Sequence, residues 1–135
     1  MTSLRLYKRE KLCSLTAIEA LFSGKDSRSC SAFPVRAVWR VNNRRNHTAQ
    51  FFISVPKKRL RHAVDRVKMR RRIREAYRLN RHYLQLPENM AIDMAFIYLN
   101  NGLQNYATVE HAIIRLLGKI SNAATSFSDN DEKTD

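Results

Sequence analysis

The chain has 135 residues, 44% hydrophobic and 9% aromatic, which fits one globular domain and excludes a disordered, collagen-like or linker-rich polymer. Its 25 Lys or Arg against 12 Asp or Glu leave a net charge of +13, a self-repulsion that opposes compaction and points to a polyanionic partner. A domain this long buries roughly 68% of its unfolded surface and does not need disulfides to fold, so Cys13 and Cys30, which lack metal-ligand spacing, are expected as free thiols in a reducing cytoplasm.

At the N-terminal end Arg5, Lys8, Arg9 and Lys11 are basic, but no apolar stretch of signal-peptide length follows. The longest unbroken apolar run, Met94 to Leu99, is far short of a membrane span. The expectation is therefore a cytoplasmic protein with no membrane partner. The first helix is predicted around residues 14–24, with Thr16 and Glu19 spaced as a capping box and Gly24 as its stop. Phe33 to Val41 alternates apolar with basic residues, as a half-buried strand does, and one more short strand fits before it. Residues 42–46, Asn-Asn-Arg-Arg-Asn, predict a turn, after which Phe51 to Val55 pairs back as a second strand.

Pro56 ends that strand, and Lys57, Lys58, Arg59 and Arg61 form a flexible basic loop ahead of a helix over about Ala63 to His82. Asp93 to Leu99 reads as a buried strand, and Val109 to Ser121 as a closing amphipathic helix. Residues 126–135 hold four acids against Lys133 and predict a disordered acidic tail behind a domain of residues 1–125. The order αβ(β)βαβα gives an α+β fold, one sheet with helices packed against it.

Positive charge is concentrated in the middle of the chain: residues 56–82 carry twelve Lys or Arg against Asp65 and Glu75. At 100° per residue, Met69, Ile73, Ala76 and Tyr77 form a core-facing stripe. Arg66, Arg70, Arg74 and Arg78 make a continuous row beside it; Arg71 adjoins the row, and Lys68 and Arg72 lie on the other flank. Like charges four apart destabilise an isolated helix by roughly 0.2–0.5 kcal/mol per pair. An ordinary solvated face mixes its signs, and this one does not. Arg also outnumbers Lys six to one between residues 66 and 78, the preference expected where guanidinium forks meet phosphate. Loop and helix together form a strip suited to following an RNA backbone.

These residues resemble the protein subunit of bacterial ribonuclease P. The family pattern is a strand ending in Ser-Val-x-Lys-Lys, then Ala-Val, then a helix rich in spaced arginines with a Glu and a closing aromatic-Arg pair. The chain carries Ser54-Val55-Pro56-Lys57-Lys58, Ala63-Val64, and Arg66 to Arg78 with Glu75 and Tyr77 in place. The likeness runs from about Leu6 to Leu117. Val67 stands where the family has Asn, and Lys68 where it has Arg.

The resemblance implies an αβββαβα domain with a left-handed βαβ crossover, like that of a ribosomal small-subunit protein domain. General chirality rules favour the opposite hand. It implies an RNA-subunit interface drawn from Lys57, Lys58, Arg59, Arg61, Arg66, Lys68, Arg70, Arg71, Arg74 and Arg78. It also implies a cleft for the 5′ leader of precursor transfer RNA, carried over to Ile18, Phe22, Arg36 and Val38, with Ile18 replacing a usual Phe. By the same resemblance the RNA subunit, with magnesium, performs the hydrolysis that removes the leader. The protein assists, with no catalytic side chain and no bound cofactor or metal.

The residues themselves agree with that division. A two-metal protein nuclease needs clustered carboxylates, whereas Glu10, Glu19, Asp26, Asp65, Glu75, Glu88, Asp93 and Glu110 are scattered singly along the chain. His47, His62, His82 and His111 lack metal-site spacing. A DNA reader would place Asn or Gln on its recognition helix, and this helix has neither before Asn80, so DNA is not an expected partner. The alternative left open is a ribosomal or other structural RNA-binding protein without a processing role.

Overall fold

The computed structural model describes residues 10–24, 26–42, 49–88 and 90–133. Ser14 opens helix α1 (Leu15–Phe22), its side chain accepting from the Ala17 backbone N–H at 3.3 Å. The cap is therefore Ser14 and not the expected Thr16, because only Ser14 has the extended backbone that aims its oxygen at the free N–H groups of the first turn. Gly24, at φ 82°, stops the helix in the left-handed region where glycine pays no steric penalty.

Four strands follow the alternation the sequence shows. Strand β1 (Arg28–Ala32) is the short extra strand, and it pairs antiparallel with β2 (Val35–Val41). Strand β3 (Gln50–Ser54) does not pair back on β2 as expected. Strand β4 (Ile92–Tyr98) lies between them, antiparallel to β2 and parallel to β3, giving the order β1-β2-β4-β3. The reason is burial. Six of the seven β4 residues are buried, so β4 needs neighbours on both edges and cover on both faces. β3 is instead an edge strand, whose outer side takes up the segment at Lys11–Leu12. Most of the turn expected at 42–46 lies outside the described residues.

Helix α2 (Ala63–Asn80) joins β3 to β4, making the parallel βαβ unit, and a 3-10 turn (Arg81–Tyr83) completes the segment expected as helix to His82. Helix α3 (Tyr106–Lys133) begins three residues before the expected Val109 and runs on past Ser121. Its backbone is helical through Lys133, where an unstructured tail was expected from residue 126. The buried face from Val109 to Ala124 anchors the helix, so the residues beyond it extend an existing helix and do not have to nucleate one.

The sheet separates two apolar layers. On one face Trp39, Phe51, Met94, Phe96 and Tyr98 pack against α2 and α3, and the α2 stripe of Met69, Ile73, Ala76 and Tyr77 is buried as the periodicity predicts. Truncating Ile73 to Ala there costs roughly 2–5 kcal/mol by the usual cavity penalty. On the other face α1 lays Leu21 over Val38, Ala95 and Leu12, with Ile18, Phe52 and Ile97 at the margin. Asp93, buried on this second face, accepts a hydrogen bond from Asn42 Nδ2 at 2.8 Å and faces Arg40 across the sheet. Its burial thus has a structural explanation.

Candidate nucleic-acid interface

The basic loop is tied down at both ends. Leu60 is buried, the Arg59 and Leu60 N–H groups donate to Pro56 O, and Arg59 Nη1 reaches Asn101 Oδ1 at 3.1 Å. Arg66 Nη1 donates to Leu60 O and Arg61 O, both at 2.9 Å. The sequence predicts a flexible loop; the structure gives a turn that presents the exposed Lys57, Lys58 and Arg61 at the start of α2.

The arginine row divides by occupation. Arg66, at one end, is committed to the loop carbonyls. Arg78, at the other, forms an ion pair with Glu75, with Nε at 3.0 Å from Oε2. That hydrogen bond holds the Glu75 carboxyl below the usual carboxylate range and raises the Arg78 guanidinium. Arg72 is pinned to Gln104 O. Among the described residues, Lys68, Arg70, Arg71 and Arg74 form no hydrogen bond or ion pair through their side chains. These four are the open cations of the helix.

They stand over two different hollows. Arg70 and Arg74 border a cleft of about 430 Å³ along the β3 edge, with Ile18, Phe52, Lys11 and Cys13 around it. Phe22, 46% exposed, meets Phe52 edge-on at 6.5 Å. Arg36 is exposed on the same face of the sheet. Val38 is buried beneath α1, so it supports the floor without lining the cleft. Of the four expected leader residues only Ile18 lines the cleft; Phe22 touches its Phe52, while Arg36 and Val38 lie on β2, with β4 between them and the β3 edge. Phe52 is a lining residue the sequence reading passed over. The alternation in Phe51-Phe52 carried the signal: consecutive strand residues face opposite sides, so with Phe51 in the main core Phe52 had to face α1.

Lys68 and Arg71 stand over a second groove of about 550 Å³ with Val64, Val67 and Tyr106. Tyr106 Oη donates to Glu110 Oε2 at 2.9 Å, and Asn80 Nδ2 donates to the same oxygen at 3.1 Å, which fixes the start of α3 against the end of α2. Desolvation, reinforced by that Glu110 contact, pushes the Tyr106 phenol up to about 12. One further tie positions the cleft. Arg81 Nη1 holds both Glu10 oxygens, at 2.7 and 2.8 Å, anchoring the segment that runs beside β3.

Among the described residues no three His, Cys, Asp or Glu side chains gather in a group that could hold a metal ion. Nor, among the described residues, is any helix long and apolar enough to cross a membrane.

A family model described as Ribonuclease P matches residues 6–121. A ribonuclease P protein component from Porphyromonas gingivalis is 34% identical over 129 residues, covering 88% of this chain and 91% of that protein. The ribonuclease P protein of Thermotoga maritima superposes with a TM-score of 0.67 at 23% identity, over 83% of this chain and 98% of that one. That of Staphylococcus aureus also gives 0.67, at 19% identity, over 85% and 97%. These two likenesses speak to fold, and the αβββαβα order read from the chain agrees with them. With the family model spanning most of its length and a relative above 30% identity, this chain belongs to the ribonuclease P protein family.

Proposed function

We propose that the chain acts as the protein subunit of ribonuclease P, binding the RNA subunit and the 5′ leader of precursor transfer RNA while the RNA subunit hydrolyses the phosphodiester that frees the mature 5′ end. Family membership supports the subunit role, and the open cations of α2 supply the electrostatic means. The observation that carries the finer reading is the cleft where Arg70 and Arg74 stand beside Phe52 and Ile18. A single strand needs cations for its phosphates and flat or apolar surface for its bases, and this cleft offers both. Magnesium belongs, in this reading, to the RNA subunit.

Lys57, Lys58, Arg61, Lys68 and Arg71 are the proposed contacts to the RNA subunit. Arg70, Arg74, Ile18, Phe22, Phe52 and Arg36 are the proposed contacts to the leader. Arg59, Arg66 and Arg78 shape the surface through their internal bonds and contribute charge from behind it.

The test is reconstitution with ribonuclease P RNA and a precursor transfer RNA at limiting magnesium. Added protein is expected to restore leader cleavage, and protein freed of RNA to cleave nothing. Cleavage by the RNA-free protein would overturn the division of labour. Failure of the protein to bind or stimulate the RNA subunit would overturn the subunit role itself.

A further inference from the structure

The flank of α2 that carries Lys68 and Arg71 also turns two valines to water. Val64 is 74% exposed and Val67 39%. Valine is a weaker helix former than the Lys and Arg around it, so these exposed side chains gain nothing for the helix and leave apolar surface unpaid by burial. With Ala63 they floor the 550 Å³ groove, whose opposite side is Tyr106.

Two features make this groove a prepared one. The Tyr106 hydroxyl is tethered to Glu110, itself held by Asn80, so the ring is fixed in orientation before anything binds. Arg72, at the rim, is anchored to Gln104 O, while Lys68 and Arg71 keep their donors open. A fixed aromatic edge, an aliphatic floor and a cationic rim suit a flat heterocycle that carries negative charge on its neighbours.

We propose that the groove between Val64, Val67 and Tyr106 receives one unpaired nucleobase of the RNA partner, whose flanking phosphates meet Lys68 and Arg71. This deepens the RNA-subunit reading and rests on it for the identity of the RNA. The volume lies within the range of small-molecule sites and accommodates a nucleoside. Bases splayed out of loops and bulges are recognised by stacking on side chains of this kind. A second copy of the chain is a poor occupant, because it would bring another +13 to a basic rim. Glu75, at the groove and paired with Arg78, offers a carboxylate acceptor. It therefore favours bases with an exocyclic amine over uracil.

The first measurement is methyl NMR of the full chain titrated with AMP, with UMP and with ribose 5-phosphate. The Val64 and Val67 methyls should shift saturably with AMP, less with UMP and not with ribose 5-phosphate. Equal shifts with ribose 5-phosphate would mean phosphate binding only and overturn the proposal, as would no shift with AMP.

The second is the affinity of a Val64→Ser/Val67→Ser variant for ribonuclease P RNA; both side chains are exposed, and an unchanged circular dichroism spectrum checks the fold. Affinity should fall roughly fivefold or more, the low end of what one stacked base contributes, with the salt dependence unaltered. Unchanged affinity overturns the proposal. Failure of the wild-type protein to bind that RNA would instead end the subunit reading, leaving the AMP titration to judge the groove alone.

Discussion

On one flank of α2, Arg70 and Arg74 stand over a cleft bounded by Ile18 and Phe52; on the other, Lys68 and Arg71 stand over Val64, Val67 and Tyr106. The cations are of one kind and the helix is continuous, so charge alone does not distinguish the two flanks. What differs is the apolar surface beside each set. The cleft takes its aromatic ring from an edge strand of the sheet. The outer groove takes its valines from α2 itself and its ring from α3. One basic helix thus borders two hollows because two different neighbours finish them, and the arginine row that is one object in the sequence lines one hollow with its middle and braces the fold with its ends.

The largest expected effect comes from removing the open cations of each flank separately. Arg70→Ala/Arg74→Ala should weaken binding of leader-bearing substrate to the assembled enzyme by roughly tenfold or more, and flatten the salt dependence by about 0.7–0.9 per lost phosphate contact. Lys68→Ala/Arg71→Ala should instead weaken assembly with the RNA subunit and leave the preference for a leader intact. Neither pair has a folded partner, and Ala is a better helix former, so the melting temperature should hold or rise. Equal losses of both properties in both variants, measured by equilibrium binding across a salt series, would show one continuous interface and erase the distinction.

A smaller effect is expected from Phe52→Leu. The substitution keeps apolar cover under α1 while removing the flat ring, so the loss should be in leader preference, by about 1 kcal/mol from the low end of stacking. Assembly with the RNA subunit should be untouched. If leader preference survives in a folded Phe52→Leu protein, the aromatic ring lining the cleft is packing and not a binding surface.

The smallest effect concerns the thiols. Cys13 is exposed at the cleft, whereas burial pushes the Cys30 thiol up, partly offset by the Lys119 charge. Because the thiolate is the reacting form, a maleimide near neutral pH should modify Cys13 first, and Cys30 should respond only as pH is raised. Cys13 carrying a bulky adduct should show a modest loss of leader preference with RNA-subunit affinity unchanged. Peptide mass mapping and the same binding assays check both, and labelling of the two thiols at equal rates would contradict the burial argument.

Single elements of the chain disclosed part of this arrangement. The α2 stripe of Met69, Ile73, Ala76 and Tyr77 was readable because helical periodicity is a local property, set by 3.6 residues per turn. Gly24 as a helix stop was readable for the same reason, as was the concentration of positive charge in residues 56–82. The Thr16 cap was misplaced by two residues because Ser14 and Thr16 are both competent caps, and only the backbone conformation at Ser14 decides between them.

The place of β3 in the sheet was not readable from proximity. Adjacent strands in sequence usually pair, but β4 is buried on both faces and takes the central position, an outcome that depends on residues some 40 positions away. The same holds for the cations. Arg66 and Arg70 are equivalent in sequence, four apart in one row. Arg66 is spent on the carbonyls of Leu60 and Arg61, while Arg70 is left open over a cleft whose other side is supplied by α1 and β3.

The chain by itself therefore determined the element order, the buried stripe and the location of positive charge, because these follow from near neighbours and their spacing. Only the tertiary structure decided the strand order, which arginines remain open, and which apolar surface each one faces. Those depend on hydrogen-bond partners and packing contacts between segments far apart along the chain, and no local pattern encodes them.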